Sequence, residues 1–122
     1  MERFKQFSRS MRHALRGLWY AFRHEKNFQN ELVIAILVVI AMVYLKLSRE
    51  AMVALIFMIM MVLIMELINT IFERVVDILK PRVHPYARLI KDLMAATVLI
   101  TSIVSVVVGI IIFYPYIIER FF

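Results

Sequence analysis

Long apolar runs alternate with short polar breaks along the chain, and the pattern predicts four helices. Between residues 3 and 24, Phe4, Phe7, Met11, Leu15, Leu18, Trp19 and Phe22 recur at steps of three and four, the spacing of one helical face. Lys5, Arg9, Arg12, Arg16 and Arg23 line the adjacent flank. A basic flank beside a stripe carrying Trp and Phe suits a helix lying in the headgroup layer of a membrane, here residues 1–27. A helix packed on the rest of the protein would show the same stripe. Leu32 to Leu45 is an unbroken apolar run of 14 residues. Extended back to Phe28 and forward to Leu47, it reaches the roughly 20 residues a span needs, giving a first span over 28–47. After a tight turn at 46–50, Ala51 to Met65 is a second apolar run of 15. It continues in helical register to about Leu79, so the second helix is expected over 50–79 with a cytoplasmic extension. Pro81 and Pro85, four apart, break it. The third span is expected over 86–118, since Leu93 to Ile118 carries no charge for 26 residues and ends in the aromatic belt Phe113, Tyr114 and Tyr116. The expected fold class is an all-α membrane protein: an N-terminal amphipathic surface helix plus three transmembrane helices, in one domain of 122 residues.

Composition sharpens this picture. The chain is 63% hydrophobic, against roughly 45–50% in soluble proteins. The absence of cysteine removes disulfides, thiolate chemistry and zinc–thiolate sites. The net charge is +6, with seven Lys or Arg and three acids in residues 1–31. In so apolar a chain the basic excess fits an anionic membrane surface, and no nucleic-acid partner is expected. The Lys/Arg bias puts residues 1–31 and 66–92 on the cytoplasmic side of the cell's inner membrane.

One stretch does not belong in lipid. From Met65 to Asp77 the second helix carries Glu66, Asn69, Glu73 and Asp77 on one face. Ionisable groups at the edge of a span are costly and commonly mark function. Three short helices cannot enclose such a face, so a homo-oligomer is expected. Glu66 is deepest, flanked by apolar residues, which suits either a partly desolvated general base or a buried acid satisfied between helices. Asn69, one turn on, can orient Glu66 or hold a ligand hydroxyl. Glu73 is placed for a hard cation such as Mg²⁺, which takes one or two carboxylates and completes its shell with phosphates and water. Glu25, just before the first span, lies at the same depth and makes a plausible partner for Glu73; pairing with Arg23 or Lys26 is the local alternative. Glu31 is near that interface, within reach of a basic side chain or a lipid hydroxyl. Lys91 can meet phosphate oxygens, Asp92 a cation or a ribose, and His84 a ligand from the break. The chain has neither a P-loop nor a G-x-G-x-x-G motif, so any nucleotide is held by positive side chains and Mg²⁺.

Glu66-x-x-Asn69-Thr70-x-x-Glu73-x-x-x-Asp77, followed by His84-Pro85 and Lys91-Asp92, resembles the prokaryotic diacylglycerol kinase family, which includes the undecaprenol kinases. Ala14-Leu15-Arg16-Gly17-Leu18 and Phe22-Arg23-x-Glu25-x-Asn27-Phe28 resemble its N-terminal segment. The resemblance implies a homotrimer of three-span subunits with active sites shared between neighbours. It implies Glu66 as general base, Glu25 and Glu73 as metal carboxylates, and Asn69 and Glu31 near the reacting lipid. It puts nucleotide contacts on Arg9, His13, Glu25, Glu73, Arg82, Val83, His84, Lys91 and Asp92. Ile71-Phe72 and Pro81-Arg82 depart from the usual pattern. Glu31 is closer to the diacylglycerol branch, whereas Phe113-Tyr114-Pro115-Tyr116 is closer to the undecaprenol branch. The expected function is an ATP- and Mg²⁺-dependent lipid kinase acting on diacylglycerol or undecaprenol. The rival is a non-catalytic oligomeric membrane protein, such as a pore or accessory subunit, which leaves the shared acidic face unexplained.

Overall fold

The computed structural model describes residues 1–79 and 85–122. Four helices follow one another: α1 (Glu2–His24), α2 (Lys26–Tyr44), α3 (Arg49–Leu79) and α4 (Pro85–Phe121). The last three are each long and apolar enough to cross a membrane.

Helix α1 ends at one extended residue, Glu25, with φ −104° and ψ 108°. No proline or glycine marks this break. It is held by hydrogen bonds across it: the Gln29 side-chain amide donates to the Phe22 carbonyl at 2.8 Å, and Glu25 N–H donates to the Ala21 carbonyl at 3.0 Å. Ala21 is the one buried residue of α1. Its apolar stripe, including Phe4, Phe7, Leu15 and Trp19, stays exposed, and among the described helices its main packing is on the neighbouring α2. A stripe left uncovered within the chain is what a headgroup-layer helix requires.

The α2–α3 turn shows why the first span stops short of Leu47. Lys46 takes a left-handed φ of 54°. Leu47 N–H donates to the Met42 carbonyl and Lys46 N–H to the Val43 carbonyl, at 3.2 and 3.3 Å. This is a Schellman ending with lysine where glycine is usual, and the side chains of Met42 and Leu47 meet across it in one buried cluster with Leu55. Ser48 then caps α3, its hydroxyl accepting from Ala51 N–H at 3.3 Å. Tyr116 on α4 reaches over the same turn, its hydroxyl accepting from Ser48 N–H at 3.1 Å. Arg120 lies over the Tyr44 ring at 5.4 Å. Helix α4 therefore continues through Pro115 to Phe121, past the expected end at Ile118, and clasps this end of the bundle.

Helices α3 and α4 form the most extensive pair, with α2 against α3. Few side chains are buried in the single chain, and most apolar residues of α2 and α4 face outward. At 1.5 Å per residue, the 31 residues of α3 span about 46 Å, more than the roughly 30 Å hydrocarbon core. Measured from Arg49, Glu66 falls about 26 Å along α3, near the far edge of that core, and the later turns project beyond it.

Candidate active site

The far edge of α3 is where polar side chains are buried. Glu66, Asn69 and Thr70 are 4%, 6% and 8% exposed, and they are the buried polar residues among those described. A carboxylate and an amide in that position need partners. Glu66 has the side-chain amides of Asn27 and Asn69 in hydrogen-bonding range, with Glu25 and Glu73 close enough for their charges to act on it. Glu31 on α2 is also within electrostatic reach of Glu66. The extended break at Glu25 and the first two turns of α2 thus bring three side chains, Glu25, Asn27 and Glu31, to the polar face of α3.

The hydrogen bonds of the cluster are unequal. Asn69 Nδ2 donates to Glu73 Oε1 at 3.3 Å. Asn69 Oδ1 and Glu31 Oε2 are both buried and have no hydrogen-bond partner among the described residues. Arg74, one residue beyond Glu73, donates to Glu25 Oε1 at 2.5 Å. Asp77, a turn further along α3, accepts from Lys91 Nζ on α4 at 2.7 Å.

Within one chain, then, Glu25, Glu31, Glu66, Asn69 and Glu73 come together, and Lys91 joins the same face through Asp77. Arg9, His13 and Asp92 are exposed, and no hydrogen bond or ion pair among the described residues joins them to Glu66. Arg82, Val83 and His84 lie outside the described residues. Arg74 is absent from the sequence reading, and Glu25 pairs with it rather than with Arg23 or Lys26. The two are 49 positions apart, so no local pattern announces the contact. Asn27 sits in the segment that carries the family resemblance, which was the available signal for it.

Among the described residues no group of three or more His, Asp or Glu is arranged to enclose a metal. That is compatible with Mg²⁺, whose usual protein share is one or two carboxylates beside substrate phosphates. The donor chemistry of Glu25 and Glu73, both oxygen ligands beside a third acid, fits such an ion.

A groove of about 260 Å³ leads away from the cluster along the bundle. Glu31 stands among its lining residues, and Leu55, Val62, Ser105, Gly109 and Phe113 contribute from α3 and α4.

Fold and site together define a helical membrane protein of three spans with a carboxylate–amide cluster where one span leaves the hydrocarbon. Residues 12–113 match the family model for prokaryotic diacylglycerol kinase, and the chain belongs to that family. It is an enzyme, a lipid kinase. It is 34% identical over 110 residues to an undecaprenol kinase of Bacillus subtilis, covering 90% of this chain and 89% of that protein. It is 36% identical over 101 residues to a diacylglycerol kinase of Synechocystis, covering 82% of this chain and 58% of the relative. It is 32% identical over 104 residues to a diacylglycerol kinase of Escherichia coli K12, with 85% of both chains covered.

Proposed function

We propose that this lipid kinase transfers the γ-phosphoryl group of ATP to the hydroxyl of diacylglycerol or undecaprenol at the cytoplasmic face of the inner membrane. The observation that carries the reading is a nearly buried carboxylate, Glu66, with the Asn27 and Asn69 amides in hydrogen-bonding range beside Glu25 and Glu73 at the edge of a span. A lipid hydroxyl reaches that depth from the bilayer, and a triphosphate reaches it from water.

Glu66 takes the hydroxyl proton as the lipid oxygen bonds to the γ-phosphorus and the bond to the β-phosphate oxygen breaks, releasing ADP. Asn69 Oδ1, buried and unpartnered among the described residues, is free to accept from the incoming hydroxyl, and Glu31, within electrostatic reach of Glu66, lines the groove. Glu25 and Glu73 are the residues to hold Mg²⁺, which when bound neutralises phosphate charge. Lys91 and Arg9 supply further positive charge toward the phosphates, with His13, Arg82, Val83, His84 and Asp92 contacting the nucleotide. Positioning and electrostatics account for most of phosphoryl transfer, so a small helical bundle suffices. Membership of the family supports assembly into a homotrimer.

Labelled-phosphate transfer from ATP, run side by side on diacylglycerol and undecaprenol, tests the reading and selects the lipid. Glu66→Gln is expected to bind nucleotide normally and to lose activity by a factor on the order of 10²–10⁴, the range for a general base. Full activity in that variant removes Glu66 from the role.

A further inference from the structure

Four acids crowd this site, and they are not treated alike. Glu66 and Glu73 are met by amides, and Glu31 Oε2 has no partner among the described residues. Glu25 alone, of these four, is held by a cation among the described residues, the Arg74 guanidinium at 2.5 Å. Its side chain is 14% exposed, whereas that of Arg74 is 48% exposed. Tyr20, near the end of α1, lies in hydrogen-bonding range of the same guanidinium. Arg74 thus bridges the surface helix, the Glu25 break and α3, with one side open to water.

The guanidinium on Glu25 Oε1 offsets the charge of this carboxylate and occupies one of its lone pairs, so it competes with a divalent cation for the same group. Arginine stays charged across the physiological range, so protonation does not relieve the conflict. Phosphate oxygens do relieve it: they offer a guanidinium the forked acceptor that a carboxylate offers, with more negative charge. The half-exposed Arg74 has open space on its water side into which to turn.

We propose that Arg74 is an internal counter-cation of Glu25 that keeps free divalent metal off this carboxylate until metal and phosphates arrive together. This rests on the reading of Glu25 as a metal carboxylate. Binding of metal and nucleotide is thereby coupled, and Arg74 is a positioning residue for the metal ligand.

The test is Mn²⁺ binding to the full-length protein in lipid nanodiscs, followed by electron paramagnetic resonance with and without a non-hydrolysable ATP analogue. Without nucleotide, Arg74→Gln is expected to tighten Mn²⁺ binding roughly two- to fivefold, the scale of a partly exposed ion pair. Arg74→Lys, which keeps the cation, stays near wild type. The tightening disappears in Glu25→Gln/Arg74→Gln. Unchanged or weaker Mn²⁺ binding in Arg74→Gln overturns the inference. If Glu25→Gln weakens Mn²⁺ binding while Arg74→Gln has no effect, the metal assignment survives and only the counter-cation role is lost. If Glu25→Gln leaves Mn²⁺ affinity untouched with the analogue present, the metal assignment of Glu25 falls and takes the inference with it.

Discussion

A carboxylate and an amide buried on consecutive turns of a helix cost several kcal/mol each unless they are partnered. Here the partners are supplied unevenly. Asn69 turns its NH₂ group to Glu73, with Glu66 also in range, and leaves Oδ1 unpartnered among the described residues, so the amide has one end anchored and one end available. Glu73 is correspondingly held in place from one side, with its remaining lone pairs open to a cation. Replacing Glu73 with Ala removes the proposed metal carboxylate and also frees Asn69 to rotate. The Mg²⁺ concentration for half-maximal lipid labelling is expected to rise on the order of tenfold or more. A Mg²⁺ titration of the variant checks this, and an unaltered midpoint defeats the assignment. The helical spacing of Glu66, Asn69 and Glu73 made this face readable from sequence, because 3.6-residue periodicity is a local property. Arg74 was not readable, because its role depends on Glu25 from a different helix.

At the scale of elements, helix ends decide more than helix middles. The spans were legible as apolar runs, but their limits depend on capping. Lys46 accepts a left-handed backbone so that Met42 and Leu47 can pack, and Ser48 then starts α3. Ser48→Ala removes the cap hydroxyl and is expected to lower stability by about 1 kcal/mol. Thermal unfolding in detergent measures the loss, and phosphotransfer at permissive temperature should be unaffected, since this turn is at the opposite end of α3 from Glu66. The break at Glu25 had no such local sign. It is held by Gln29 reaching back to Phe22 and by Arg74 from α3, while the apolar stripe of α1 stays exposed.

For the whole molecule, the question is which site residues one chain can assemble. Glu25, Glu31, Glu66, Asn69 and Glu73 converge within a single subunit, whereas Asp92 is exposed and has no contact among the described residues that links it to Glu66. If Asp92 serves a neighbour's site in a trimer, two inactive variants should rescue one another. Co-reconstituted Glu66→Gln and Asp92→Asn subunits are expected to show phosphotransfer well above either variant alone. Failure to rescue, with mixed oligomers verified by differential tags, assigns Asp92 to its own subunit's site. Lipid, unlike water, gives little drive to bury apolar faces, so subunit association depends on packing and polar contacts. That is why a chain with so few buried residues can still hold a well-defined fold.

The order of apolar runs, the amphipathic first helix and the acidic register of α3 follow from the chain alone, since each expresses a repeat within a few turns of backbone. The break at Glu25, the gathering of Glu25, Asn27 and Glu31 against Glu66, and the Arg74 ion pair were decided only when helices met. Those contacts join residues up to 49 positions apart, and the electrostatics of a buried acid depend on which charges stand beside it in space.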